Sequence, residues 1–385
     1  KLDQSIVLFF KGPESYTGED VMELHLHGGR AVIEGVYSAL SAQKGFRFAE
    51  NGEFSKRAVI NGRIDLTEAE GINDLINAET EAQRDQGLNQ LEGALRLQLE
   101  KWSNDLKGFG AHIEAYIDFP DEQIPENVLS DLLQGVEETN RELKEFVDDD
   151  RKGEILRSGL KVAVIGPPNV GKSSFVNWLT KRDIAITSEK AGTTRDIVEA
   201  HLDLGGYPVT VADTAGMRES EDTIEQEGIR RARSWSESAD LRVLILDPET
   251  AEDANAFSDL LKSGDPVLMN KADRITIAKK KMSAAYSLVS VKTGYGLESI
   301  LSELTTIAKR KMGTQKPTTI TQARHRALLN DCLTALREAD FGLRNHADLE
   351  LIAEDFRSAI YCIGRITGHI DVEDLLDVVF KEFCI

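Results

Sequence analysis

One octapeptide constrains this chain more than any other stretch. Gly166-Pro167-Pro168-Asn169-Val170-Gly171-Lys172-Ser173 is a G-x-x-x-x-G-K-[ST] loop, set between the apolar run 162–165 and the helix-favouring run 174–178. A strand that feeds such a loop into a helix turns backbone N–H groups inward at the helix N-terminus, where phosphates bind. Lys172 adds positive charge there, Ser173 offers a magnesium-binding hydroxyl, and Ser174 follows on the first turn. The apolar runs 162–165, 197–204, 208–212, 243–246, 267–269 and 288–290 alternate with helical stretches. That alternation predicts a parallel-rich sheet with crossover helices.

Three further elements follow in the order a phosphate loop of this kind requires. Asp213-Thr214-Ala215-Gly216 closes an apolar strand, where the carboxylate can reach a magnesium shell and the Gly216 N–H can sense a γ-phosphate. Asn270-Lys271-Ala272-Asp273 closes another, and its Asp273 carboxylate can accept N1–H and the exocyclic amine of guanine, which adenine does not offer. Ser290-Val291-Lys292 ends the next strand and would back the base. Together these favour a GTPase over an ATPase. Met217 stands where a Ras-like switch carries its water-orienting glutamine, so water must be positioned by another group. The Asn169 side-chain carbonyl could hold a monovalent cation against the phosphates and do an arginine finger's electrostatic work; the alternative is an ordinary loop-stabilising amide. In the loop 188–196, one threonine hydroxyl can ligate magnesium when the loop closes on the γ-phosphate.

At 385 residues the chain has room for two to three domains, and 41% hydrophobic residues supply real cores. Its net charge of −20 argues against a protein that coats nucleic acid with its whole surface. The basic clusters 279–281 and 309–311 read more simply as solvated surface. No apolar run approaches the ~18 residues of a membrane span, and no signal peptide is legible, so a soluble, cytoplasmic protein is expected (mitochondrial in a eukaryote). Three cysteines without a CxxC pair suggest a reducing compartment. The opening residue is Lys1, from which a truncated N-terminus is expected.

Short extended runs and Gly28-Gly29 and Gly52 in the first sixty residues suggest a small α/β unit. From 66 to 117, Leu88, Leu91, Leu95, Leu99, Trp102, Leu106, Phe109, Ile113 and Ile117 recur every three or four residues, which predicts one straight helix and a bundle seam. Pro120 and Pro125 interrupt it, a second helix is expected over 128–150, and helical periodicity returns after residue 316. The expected fold is multidomain α/β plus all-α. A small N-terminal α/β domain (1–61) precedes a helical-bundle domain (62–157 and 316–385) into which a Ras-like P-loop GTPase domain (158–315) is inserted.

The flanks resemble one family, the tRNA-modifying GTPases called MnmE or TrmE. The likeness rests on Tyr16-Thr17-Gly18-Glu19-Asp20, His27-Gly28-Gly29, Gly52-Glu53-Phe54-Ser55, Asp65-Leu66-Thr67-Glu68-Ala69-Glu70, Ile117-Asp118-Phe119-Pro120 and the terminal Phe383-Cys384-Ile385, and it covers essentially the whole chain. The resemblance implies a potassium-activated GTPase that helps place a carboxymethylaminomethyl or related group on C5 of uridine 34 in tRNA. It also implies a one-carbon unit from 5-formyl- or methylene-tetrahydrofolate, an FAD-containing MnmG-like partner, and a homodimer joined through the N-terminal domains. By the same resemblance Ser173 and Thr194 are magnesium ligands. Asn169, Thr193 and the loop from Ser188 to Lys190 hold potassium, Glu225 orients the catalytic water, Glu23 and Arg63 contact folate, and Cys384 matches the family's terminal cysteine, either a functional thiol or a small apolar residue of a helical tail. The family's closing Gly-Lys is absent here.

Glu23, His25 and His27 alternate, so one strand could present all three to a metal, or to a solvent face or polar pocket wall. The alternative functions are a ribosome-assembly GTPase, which usually carries a basic RNA-binding module, and a regulatory switch without modification chemistry.

Overall fold

The computed structural model describes residues 1–119, 126–182, 184–186, 199–213, 235–274, 286–313 and 318–370, together with 376, 379, 380 and 383. The chain is multidomain, α/β plus all-α, and forms two units. The first comprises Lys1–Asn77, Gln86–Asp149 and Pro317–Ile385, the second Ala78–Asp85 and Asp150–Lys316.

The first unit opens with an antiparallel pair, β1 (Ile6–Phe10) and β2 (Val21–His25), in the register Ile6↔His25 to Phe10↔Val21. All five residues of β1 are apolar and all are exposed, Ile6 at 65% and Phe9 at 63%. Helices α1 (Arg30–Ser41), α2 (Glu53–Ile60) and α3 (Leu66–Ile76) follow. Asp65 and Glu68 form a capping box on α3: the Asp65 carboxylate accepts from Glu68 N–H at 2.8 Å, and Glu68 Oε2 accepts from Asp65 N–H at 2.8 Å. Burial pushes the Asp65 carboxyl up to about 6. Leu66 and Ala69 of α3 pack with Leu376, Phe380 and Phe383.

The bundle proper consists of α5 (Ala94–Asp118), α6 (Glu126–Val147), α10 (Ala323–Arg344) and α11 (Leu349–Thr367). The expected single helix from 88 to 117 is two. Gly93, in the left-handed region at φ 80°, separates α4 (Glu81–Leu91) from α5. Leu88 lies on the exposed side of α4, and the seam runs from Leu95 through Leu99, Trp102 and Leu106 to Ile113. The second stretch also ends earlier than expected, at Val147, because Asp150 and Arg151 take positive φ. Inside the unit, fully buried Glu70 lies between two bases of α10, with Arg324 Nη2 2.8 Å from Oε1 and His325 Nε2 2.9 Å from Oε2. Burial opposes ionisation of Glu70, but the charges of His325 and Arg324 outweigh it and hold its carboxyl below the ordinary glutamate range.

Among the described residues the second unit is built on a six-stranded sheet in the order β4-β5-β3-β6-β7-β8. Its strands are β3 (Leu160–Ile165), β4 (Glu199–Asp203), β5 (Pro208–Asp213), β6 (Leu241–Leu246), β7 (Val267–Met269) and β8 (Ser287–Leu288). Only β4 runs antiparallel, against β5. The strand expected over 288–290 stops at Leu288, and Ser290 lies in the turn beyond it. Central strands buried on both faces read as unbroken apolar runs, and β6 is buried throughout. Alternate residues serve opposite cores: Val162, Val164, Val243 and Ile245 face one, Ala163, Ile165, Leu244 and Leu246 the other. Helices α7 (Lys152–Ser158), α8 (Lys172–Thr180) and α9 (Leu297–Met312) pack in the same unit. Segment 78–85 belongs to it through bonds from Ala82 N–H to Gly206 O (3.1 Å) and from Gln83 Nε2 to Arg157 O (3.0 Å).

Removing one partner from a buried charge cluster costs about 3–5 kcal/mol, so Glu70→Ala should lower the unfolding temperature of the first unit sharply in calorimetry. Because the Glu70 carboxyl is depressed in the fold, its contribution is present above the ordinary glutamate range and is lost as pH falls through the depressed value. The loss in Glu70→Ala should therefore shrink in acid.

Candidate guanine-nucleotide site

All parallel strands of the second unit present their C-terminal ends to one edge, where open α/β sheets bind ligands. The phosphate loop leaves β3 there. Gly166 has φ 142° and Gly171 φ 103°. A Cβ on Gly166 would sit 2.1 Å from Ile245 O, and one on Gly171 2.3 Å from Asn270 Nδ2. Close approach as well as dihedral angle therefore demands glycine at both positions. Asn169 takes the left-handed conformation, φ 63°, and is exposed, while Val170 beneath it is fully buried. Lys172 is buried and folds over the loop, its Nζ donating to Gly166 O at 2.8 Å and Pro167 O at 2.7 Å. Ser173 and Ser174 stand exposed on the first turn of α8, and the N-terminus of a helix favours an anion. The loop fits a phosphate chain, and the hard hydroxyl oxygen of Ser173 fits magnesium.

Asp213 ends β5 at the same edge, beside Val164. The base side of the site starts at the tip of β7. The Asn270 side chain ties two loops, its Nδ2 donating to Val170 O at 2.7 Å and its Oδ1 accepting from Val291 N–H at 3.1 Å. Lys271 follows with φ 57°, and its Nζ pairs with Asp247 Oδ2 at 2.5 Å. Asp273 is exposed on a 3-10 turn, and its Oδ1 accepts from the buried Ser290 hydroxyl at 2.7 Å. That bond, helped by the charges of Lys292 and Arg274, holds the Asp273 carboxyl below its usual range. An ionised carboxylate anchored at one oxygen can accept both N–H groups of a guanine edge.

Thus the structure brings Asn169, Val170, Gly171, Lys172, Ser173, Ser174, Asp213, Asn270, Lys271, Asp273, Ser290, Val291 and Lys292 to one edge of the sheet. Ser188, Lys190, Thr193, Thr194, Thr214, Ala215, Gly216, Glu225 and Cys384 lie outside the described residues. Asp247 was missed by motif reading, although Asp247-Pro248-Glu249-Thr250 directly after an apolar strand has the composition of a turn that its carboxylate would cap.

In the first unit, β2 ends at His25, so the three alternating residues do not share a face. Glu23 Oε2 lies 3.2 Å from His25 Nε2, whereas His27 Nδ1 turns to Asp3 Oδ1 at 2.8 Å. Among the described residues no group of three His, Cys, Asp or Glu side chains is placed to hold a metal ion. Glu23 remains half exposed, and its carboxylate keeps room for a hydrogen-bonding ligand. Arg63 is exposed, its stem against Gly18 of the Tyr16–Asp20 loop. That loop is tied to α2 by Tyr16 Oη to Ser55 Oγ at 2.8 Å and by Arg57 to Glu19 at 2.6 Å, and beside it Arg47 pairs with Glu53 and draws that carboxyl down to about 2. Burial raises the Cys332 thiol to about 12.

A phosphate loop on a parallel sheet, with Asn270 tying it to the loop that follows β8 and the exposed Asp273 carboxylate close by, defines a GTP-binding P-loop domain. Residues 66–384 match the model of the MnmE helical domain, and residues 1–63 that of the GTP-binding protein TrmE N-terminus. The chain is 47% identical over 384 residues to the tRNA modification GTPase MnmE of Parvibaculum lavamentivorans, covering all of this chain and 86% of that protein. It is 47% identical over 390 residues to the protein of the same name from Rickettsia bellii, covering 87% of it. A crystal structure of the G domain of the T. maritima FeoB iron transporter shares 25% identity and covers 39% of this chain and 98% of that one, at a TM-score of only 0.30. The chain belongs to the MnmE family.

Asp273→Asn should weaken GDP by about tenfold to a hundredfold, the scale of a lost charged hydrogen bond, and turn the preference toward xanthine nucleotides. Competition of GDP and XDP against a fluorescent nucleotide measures both.

Proposed function

We infer that this chain is a GTP hydrolase acting in tRNA modification. The observation that carries the reading is likeness along the whole chain to tRNA modification GTPases, at 47% identity. Its finer parts are our proposal. GTP hydrolysis drives a conformational cycle in the addition of a carboxymethylaminomethyl or related group to C5 of uridine 34. A tetrahydrofolate, in 5-formyl or methylene form, supplies one carbon and contacts Glu23 and Arg63. A flavoprotein of the MnmG kind is the partner, and Cys384 has a function of its own. The four-part division at 1–61, 62–157, 158–315 and 316–385 belongs to the same reading. So does a homodimer through the N-terminal domain, supported by the exposed apolar β1. Among the described residues no helix is long and apolar enough to cross a membrane, and the cytoplasm is the proposed site of action.

In the GTPase cycle, Asn169, Ser188, Lys190 and Thr193 hold potassium, Ser173 and Thr194 hold magnesium, Lys172 steadies the phosphates, and Glu225 orients the attacking water. The exposed amide of Asn169, held in the left-handed region on the phosphate loop, supports the potassium assignment. A fixed cation against the phosphates supplies the charge stabilisation that one preorganised donor supplies elsewhere, about a hundredfold in turnover. Hydrolysis should therefore be about that much faster in KCl than in NaCl at equal ionic strength, and equal rates would remove the cation from the mechanism.

The pathway is tested by mass spectrometry of wobble uridines in tRNA from cells lacking this gene, with and without its restoration. Loss and recovery of the C5 modification is expected. An unchanged nucleoside profile would favour the ribosome-assembly or regulatory alternative.

A further inference from the structure

Asp247 follows β6 directly, with its side chain only 4% exposed. Its Oδ1 accepts three hydrogen bonds from the turn that follows, from the N–H groups of Glu249 and Thr250 and from the Thr250 hydroxyl, each at 3.0 Å. The Asp247 N–H donates in return to Thr250 Oγ1 at 3.1 Å. The turn thus fixes the carboxylate through one oxygen and leaves Oδ2 for Lys271 Nζ at 2.5 Å. Burial works against ionisation of Asp247, but the bonds from Lys271, Thr250 and Glu249 outweigh it and hold the carboxyl below its usual range.

Lys271 stands between Asn270, which ties the phosphate loop, and Asp273, the base reader. Its backbone occupies the left-handed region, φ 57°, unusual for a lysine. The side chain is therefore held at both ends, by that backbone and by a buried anion just past the end of the neighbouring strand. We propose that Asp247 is a positioning residue for nucleotide binding: it pins the Lys271 stem as a preset wall for the purine ring whose edge Asp273 reads. The proposal rests on the guanine-nucleotide reading of this edge and deepens it.

A lysine free in solvent must surrender rotamer freedom when it covers a base, whereas one already paired has done so before the nucleotide arrives. An alkyl stem against a ring face does not distinguish one purine from another, so Lys271 gives grip and Asp273 gives selectivity. The two roles separate experimentally.

Fluorescent-nucleotide competition on the full chain would compare the wild type with Asp247→Asn, Lys271→Met and the double variant. Asn keeps a side-chain carbonyl for the turn while removing the charge. Each single change is expected to raise the dissociation constants of GDP and of IDP, which lacks the 2-amino group, by the same factor of about ten, and the double variant to bind no more weakly than the weaker single one. In hydrolysis the change should fall on KM for GTP rather than on kcat. Asp247→Glu, which keeps the charge, should recover affinity to within about threefold of the wild type. An Asp247→Asn effect that is absent, or undiminished beside Lys271→Met, would overturn the proposal. So would tighter binding in Asp247→Asn, which would mean that Asp247 draws Lys271 off the base. A wild-type chain that binds neither GDP nor IDP would instead defeat the guanine-nucleotide reading itself.

Discussion

The second unit turns on a single amide. Asn270 sits at the tip of a three-residue strand, yet its side chain binds the phosphate loop on one hand and the backbone of Val291 on the other. Those partners are separated from it by 100 and 21 residues of sequence. Two segments far apart in sequence, the phosphate loop and the turn after β8, thereby share one fixed point. The contact is possible only because residue 171 lacks a Cβ, which would fall 2.3 Å from the amide nitrogen. A buried amide with both ends satisfied also stabilises the loops it joins, since either group left alone would cost about 1–3 kcal/mol.

Around that point the sheet supplies rigidity. Strands β3 and β6 are clad on both faces, so the edge from which the loops spring has little freedom to distort. The buried Glu70 cluster of the first unit does a comparable job with charge instead of hydrocarbon, linking α3 to α10 across 254 residues of sequence. Such a cluster is stable only when complete, which makes the α3–α10 packing specific rather than merely apolar.

Sequence reading reached furthest where the physics is local. The strand-loop-helix of the phosphate site and the Asn270–Asp273 stretch at the end of β7 are each decided within a dozen residues, and the folded chain has them where their composition puts them. It fell short where geometry depends on a partner far away or on the place an element stops. The apolar stripe continues across Gly93 because Leu88 and Leu91 keep helical spacing with Leu95, so periodicity alone could not locate the break. His27 keeps step with Glu23 and His25, but the strand ends before it. Asp247 belongs to no motif, and its link to Lys271 exists only once β6 and β7 lie side by side.

The antiparallel edge of the sheet has a mechanical consequence. Because β4 runs against β5, Glu199, where β4 begins, lies opposite Ala212, one residue before β5 ends at Asp213. The two strands thus act as a stiff bar whose near end holds the backbone of Glu199 and Asp213, while its far end is bridged by the bond from Leu204 N–H to Tyr207 O. Such a ladder slides only in whole residues, and a single-residue slip would turn every side chain to the opposite face. The start of β4 and the end of β5 are therefore held in fixed register, and a displacement of one strand end along the ladder must carry the other with it.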